Sequence, residues 1–382
     1  MNARYDVAII GAGPSGCACA LALHGSGLKV ALVDQASFPR DKVCGDAIPG
    51  PAFKAMDSIH KDWGLAMRQL SAKVDISASS FYAQHKQLLS YTWTLYSYNS
   101  KRWDFDSFLL DLVRKHTATD ILENKRLQQV RVNLEAASCQ FKDGSTLQAA
   151  MVIGCDGATS IVRRNLQEPS LAPKQGLVAL RAYYHGVEGL QAGVNEIHLS
   201  KELAGYFWIF PLQNGWANVG FGILKEQQSK EANAVSLNDT LQNIISTPDL
   251  VPRFKNALPM EKTRGFALPI WTGKQAISGN RWMLCGDAAS LIDPLQGHGI
   301  DTGMWSGIWA AKQAMKCFKD NDFSAKSMQQ YDQEVYQKLG PGFNKSYLIM
   351  KTLIRFPFIL TLISSLGKYQ KVTKWAIKRL KL

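Results

Sequence analysis

The chain has no leader-like start. Its first strand signal begins by about residue 6, which leaves no room for a basic segment, an apolar core and a cleavage site, so a cytoplasmic location is expected. It also lacks a bilayer-length apolar run, for which ~20 residues are needed. The apolar segment Phe356–Leu366 is too short and is broken by Pro357. Cysteines are few: the seven, at positions 17, 19, 44, 139, 155, 285 and 317, form no paired C-x-x-C framework. An odd, scattered set excludes a disulfide scaffold, suits a reducing compartment and offers no metal site. The histidines show no ligand spacing, and there is neither internal repeat nor low-complexity segment. Acid is missing from one place in particular. From Lys345 to Leu382 there are seven lysines, two arginines and no Asp or Glu, so nine charges of a net +13 sit in the last tenth of the chain. With 46% hydrophobic and 20% charged residues, the remainder has the composition of a folded domain, which excludes disorder.

The organising stretch is Asp6–Asp34, DVAIIGAGPSGCACALALHGSGLKVALVD. Val7–Ile10 is a short, continuous, β-branched run, the pattern of a strand buried on both faces of a parallel sheet. Gly11, Gly13 and Gly16 follow in G-x-G-x-x-G spacing, and a helix is expected from Pro14 to His24. The three glycines answer three needs: a tight turn, close approach of backbone to a pyrophosphate, and contact of helix with sheet. The helix start turns free N–H groups and a positive dipole end toward the phosphates. A second strand, Lys29–Val33, ends at Asp34, whose carboxylate is placed to accept hydrogen bonds from a ribose hydroxyl.

A Pro- and Gly-rich loop follows and carries Arg40, Lys42 and Cys44. A helix is expected from Pro51 to Ile59, strands within 71–98 and 120–150, and a mostly period-two block over 174–270 with a helical insert near 237–257. Parallel-sheet patterning returns at Ala149–Gly154 and at Trp282–Asp287, and helices occupy the remainder. At 382 residues the chain exceeds what one core usually organises.

Three distant stretches belong together: the glycine turn with Asp34; Cys155-Asp156-Gly157-Ala158-Thr159-Ser160 with Arg163; and Gly286-Asp287-Ala288-Ala289 through Asp293-Pro294-Leu295-Gln296-Gly297-His298-Gly299-Ile300. Their order resembles the fingerprints of FAD-dependent oxidoreductases of the p-hydroxybenzoate hydroxylase superfamily. Phe38–Gly45 resembles the F-P-R-x-K-x-C-G loop of the geranylgeranyl reductase family within it. Arg102 with Asp104-Phe105-Asp106 is similar to that family's R-x-x-F-D segment, and Tyr206–Pro211 to its Y-x-W-x-F-P substrate motif, continued by Ala217–Gly220 and Gly222.

The resemblance implies an α/β fold: a Rossmann-type (GR2-like) FAD-binding domain, an inserted antiparallel-sheet substrate domain and a helical C-terminus. The segments are 1–70, 100–170 and 275–335 for FAD, 71–99 and 171–274 for substrate, and 336–382 for a basic C-terminal region. It further implies that Gly11, Gly13, Gly16, Asp34, Arg40, Lys42, Cys44, Arg102, Asp287, Pro294, Gly297, Gly299 and Ile300 bind the cofactor. Arg40 and Lys42 would meet phosphate, Asp287 the ribityl or pyrophosphate region, and Gly297–Ile300 the flavin pyrimidine edge. Asp156 would be structural. Tyr206, Trp208, Phe210 and Pro211 would wall an apolar substrate slot.

Cys44, beside cations that lower a thiol's pKa, is a proton donor, a lining of the flavin face or an inert buried thiol. His298 stands where the family commonly has Glu, and an imidazole that titrates near neutrality is a second proton donor or a structural hydrogen-bonding group. The expected activity is saturation of C=C bonds on an isoprenoid lipid by hydride from reduced FAD. The alternatives, in order, are a monooxygenase, a halogenase, and a flavin- or lipid-binding protein without turnover. Electrons would come from NAD(P)H docking transiently or from a ferredoxin-type partner. Residues 345–382 read as an amphipathic basic element on an anionic membrane, on the inner face of the cytoplasmic membrane, and nucleic acid is not expected. Oligomeric state is left open.

Overall fold

Residues 4–83, 86–168, 176–200, 205–224 and 236–356 are described by the computed structural model. β1 (Arg4–Ile10), α1 (Pro14–Ala22) and β2 (Val30–Val33) form the first βαβ unit. β1 pairs in parallel with β2 on one side and with Thr146–Gly154 on the other, the central position that its unbroken apolar run requires. Trp282–Leu284 adds a parallel strand beyond Thr146–Gly154, and Asp120–Leu122 one beyond β2. A hairpin, Leu127–Val132 with Ala137–Phe141, continues along Thr146–Gly154.

Helix α1 is clamped between this sheet and the long helix Ile300–Asp320. At their crossing a Cβ on Gly307 would collide with the Ser15 carbonyl, so only glycine lets the two backbones approach.

The second sheet runs, by strand, Leu258–Pro259, Leu177–His185, Trp216–Leu224, Gly205–Pro211, Val194–Ser200, Val74–Ala83, Lys86–Asn99, Ala47–Ile48. It was expected to be antiparallel and is so except at one junction: Val194–Ser200 lies parallel to Val74–Ala83. The two halves come from segments on either side of the nucleotide domain, and the returning chain enters in the same direction as the hairpin it joins.

Side chains alternate between two faces along Gly205–Pro211. Phe207 and Ile209 enter a core with Leu180, Val219 and Phe221, which the helix Leu237–Ile245 covers through Leu241 and Ile245. Tyr206, Trp208 and Phe210 point the other way, into a cavity shared with the nucleotide domain.

Helix Ala325–Arg355 closes the described chain. None of the described helices is long and apolar enough to cross a membrane. Residues 357–382, most of the basic C-terminal segment, lie outside the described residues.

Candidate active site

One cavity of about 1260 Å³ begins at the carboxyl ends of β1 and β2 and extends under the second sheet. At its nucleotide end Gly11 turns the chain at φ 104°, and a Cβ on Gly16 would strike the Gly11 carbonyl. Gly13 is different. A Cβ there would meet only Arg40 Nη2, at 3.7 Å, and would project into the cavity. Neither α1 nor the helix Ile300–Asp320 has a side-chain cap, and both helix starts line this one space. Their first-turn N–H groups and dipoles therefore face it without a protein acceptor of the usual kind.

Asp34 closes β2 nearly buried. Its Oδ2 accepts from Ala12 N at 2.8 Å and its Oδ1 from Ala36 N at 2.9 Å, so the glycine turn itself orients the acid. Asp156 caps the helix Ile161–Leu166, accepting from Ser160 Oγ, Ile161 N and Val162 N. Arg163 donates to the carbonyls of Ala158 and Ala288, which ties the second motif to the third.

The cations do not stand free for phosphate. Arg40 Nη1 lies 3.1 Å from Asp106 Oδ2 with Nη2 3.7 Å from Asp34, and Lys42 Nζ lies 3.2 Å from Asp287 Oδ2 with the Phe266 ring beneath it. Arg102 is buried and bonds Asp106 through Nε and Nη2, at 2.6 and 2.7 Å, with the Cys44 thiol as a further partner. The reason is that Asp34 and Asp287 on the wall and Asp106 buried behind it neutralise the cations around them. All three cations still line the cavity.

Pro294, Gly297, His298, Gly299 and Ile300 line the far side. His298 was expected to titrate near neutrality. Burial would lower its pKa, but the Asp301 carboxylate, 2.7 Å from Nδ1, and Asp293 nearby outweigh burial and raise it to about 9. At neutral pH His298 is a cation.

Tyr206, Trp208 and Phe210 form a ladder, with ring centroids 5.9 and 6.2 Å apart, and Tyr206 OH donates to the Gln296 carbonyl at 2.9 Å. Burial pushes the Tyr206 phenol to about 12, so it stays protonated. Pro211 does not join them. It is absent from the cavity wall, and its carbonyl accepts from Asn99 Nδ2 in the sheet. Cys44 is half-buried on the wall, with its carbonyl bonded by Asn218 Nδ2 at 2.8 Å. Beyond the ladder the cavity is apolar: Phe81, Leu89 and Trp93 from one hairpin, Ile197 and Leu199 from the next strand, and Ile349 and Leu353 from the last helix.

The sequence assigned no role to Asp46 or Asp301, and none to Asn218 beyond its place in the Ala217–Gly220 stretch that continues the substrate motif. Asp301 left a local signal, an acid three residues past His298 on a helix start.

The open cradle at Gly13 and two uncapped helix starts facing one space fit a dinucleotide with a negatively charged pyrophosphate. Comparison with known proteins agrees. The FAD binding domain family matches residues 4–334. A menaquinone reductase from Mycolicibacterium smegmatis is 30% identical over 332 residues, 82% of this chain and 76% of that protein. Digeranylgeranylglycerophospholipid reductase 1 from Methanosphaera stadtmanae is 27% identical over 349 residues, 88% of this chain and 81% of that one. Among solved structures, a geranylgeranyl bacteriochlorophyll reductase-like protein from Thermoplasma acidophilum superposes with a TM-score of 0.78 at 22% identity, covering 99% of both chains. A flavin-dependent brominase superposes with a TM-score of 0.77 at 21% identity, over 99% of this chain and 93% of that one. At such identities the solved structures speak for a shared fold. The chain belongs to the FAD binding domain family and is an FAD-dependent oxidoreductase.

Proposed function

We propose that this protein saturates C=C bonds in the isoprenoid chain of a polyprenyl lipid, such as a prenylated quinone or an isoprenoid glycerolipid. The observation that carries the reading is the continuity of the cavity: a polar cradle for a dinucleotide opens without a partition into an apolar lobe walled by aromatic and aliphatic side chains. Reductases named for menaquinone and for digeranylgeranylglycerophospholipid among the relatives support the same substrate class.

Bound FAD, once reduced, supplies the hydride. The rest falls to the chain. Gly13, the α1 start and Asp34 hold the nucleotide end, and the helix start at Gly299–Ile300 favours negative charge at the far end. Tyr206, Trp208 and Phe210 orient the apolar chain and exclude water. Cys44 and the His298 imidazolium both stand on the wall, and either is placed to pass a proton to the second carbon.

Helix Ala325–Arg355 supports a finer assignment. Ile349 and Leu353 line the lobe while Leu348 is exposed, with Lys345, Lys351 and Arg355 on the same terminal turns and further lysines in the sequence that follows. This segment, 345–382, rests on an anionic membrane surface from which the lipid is drawn.

The test is anaerobic. Purified protein with dithionite-reduced FAD, which removes any dependence on the natural donor, is incubated with a menaquinone or a digeranylgeranyl lipid and followed by mass spectrometry. A gain of two hydrogens per saturated bond is expected. Unchanged lipid beside fully reduced flavin, or a product that forms only with oxygen and contains it, overturns the proposal.

A further inference from the structure

Behind the cavity wall lies a buried polar chain. Asn218, with no exposed surface, uses both amide N–H groups and its carbonyl oxygen. Nδ2 donates to the Cys44 carbonyl and to Asp46 Oδ2, both at 2.8 Å, and Oδ1 accepts from Trp208 Nε1 at 2.8 Å. Two acceptors on one side and an indole donor on the other allow a single orientation of that amide. Asp46 fixes it in turn. It is wholly buried, its backbone is left-handed at φ 64°, its carbonyl accepts from Ser100 N, and Oδ2 also accepts from Tyr183 OH at 2.7 Å.

The cost of this arrangement is visible. Asp46 Oδ1 has no hydrogen-bond partner among the described residues, and burial lifts the carboxyl to about 6 although Arg181, Tyr183, Asn218 and Arg102 all favour its charge. Lys101 is a further cation facing it. An expensive buried acid whose bonds lead to a loop carbonyl and an indole on the cavity wall has the form of a positioning device.

The same loop is fastened elsewhere. Asp41 takes both bonds of Arg181 Nη2, at 2.9 Å each, and Lys42 reaches Asp287. Cys44 is therefore held from the sheet side and from the nucleotide side at once.

We propose that Asp46 and Asn218 are positioning residues that hold Cys44 and the Trp208 indole in fixed register with each other where the lipid meets the cofactor. The kinetic arm of the test rests on the alkene-reduction reading above, and the thiol arm does not. The variants are Asp46→Gly, which tolerates the left-handed backbone, Asn218→Leu, which keeps the branching of the side chain but no polar atom, and the conservative Asp46→Asn, which keeps an acceptor oxygen. Cys44 is the one thiol of seven that is not buried, so modification of the native holoprotein by a maleimide reports on it.

With FAD content unchanged, Asp46→Gly and Asn218→Leu are expected to speed that modification roughly tenfold, as loss of a hydrogen bond to a charged group allows, and to lower kcat similarly with KM little changed. Asp46→Asn stays near wild type, and the double variant is no worse than Asn218→Leu alone. Unaltered thiol reactivity in FAD-loaded Asp46→Gly, or additive effects in the double variant, overturns the proposal. If the wild type saturates no lipid but the thiol result holds, the substrate assignment fails and the positioning role stands.

Discussion

Replacing Asp301 by asparagine is expected to release the proton that His298 holds at neutral pH. The carboxylate sits 2.7 Å from Nδ1, and His298 is only 29% exposed, so solvent screens little of the pair. A tenfold change in proton affinity is about 1.4 kcal/mol, so raising the imidazole from 6.5 to about 9 corresponds to about 3 kcal/mol of folding stability. The sign follows from the direction. Because the folded-state value is the higher one, this stability is complete below pH 6.5 and is lost as pH rises through about 9. Asp301→Asn should therefore cost about 3 kcal/mol at pH 6, progressively less as the pH rises from 6.5 to about 9, and little above that in denaturant unfolding. In a histidine NMR titration of the FAD-loaded protein, one resonance that titrates near 9 in wild type should move to the ordinary range in the variant. A wild type with every histidine titrating near 6.5, or a destabilisation that does not vary with pH, refutes the reasoning.

Gly13→Val should fold normally, since only Arg40 lies near its Cβ position, yet lose FAD affinity by roughly tenfold or more, read from flavin absorbance after gel filtration. Gly16→Ala should do the reverse and lower the melting temperature, because its Cβ meets the Gly11 carbonyl. Arg102→Met leaves Asp106 buried with Arg40 as its remaining partner, and a loss of about 3 kcal/mol in denaturant unfolding is expected. Changing Lys368, Lys371, Lys374 and Lys378 to glutamine should abolish salt-sensitive sedimentation with phosphatidylglycerol vesicles, at roughly 1 kcal/mol per lysine, while activity on detergent-dispersed lipid persists.

What was legible in the sequence was local. The apolar run of β1, the glycine spacing and the terminal Asp34 specify a βαβ unit within 29 residues, and alternation along Gly205–Pro211 alone separates Tyr206, Trp208 and Phe210 from Phe207 and Ile209. What was not legible depends on partners brought from far away. Arg40 and Lys42 looked free for phosphate because Asp106 and Asp287 lie 66 and 245 residues off. Pro211 belonged to the motif but fell one position past the cavity-facing register. Nothing in the neighbourhood of Asn218 announced three simultaneous hydrogen bonds. The titration of His298 turned mainly on the acid at i+3, which reads in sequence as an ordinary first-turn carboxylate, with Asp293 adding to it.

The parallel junction between Val74–Ala83 and Val194–Ser200 bears on how the protein is made. On the ribosome the Val74–Asn99 hairpin emerges with Val74–Ala83 lacking its neighbour until Val194–Ser200 arrives. At roughly 5–20 residues per second that wait is on the order of ten seconds. Throughout it a bare strand is open to pairing with other nascent chains, which is the situation chaperones exist to shield. Fragments that stop short of Val194 should consequently aggregate, although they contain an intact first βαβ unit.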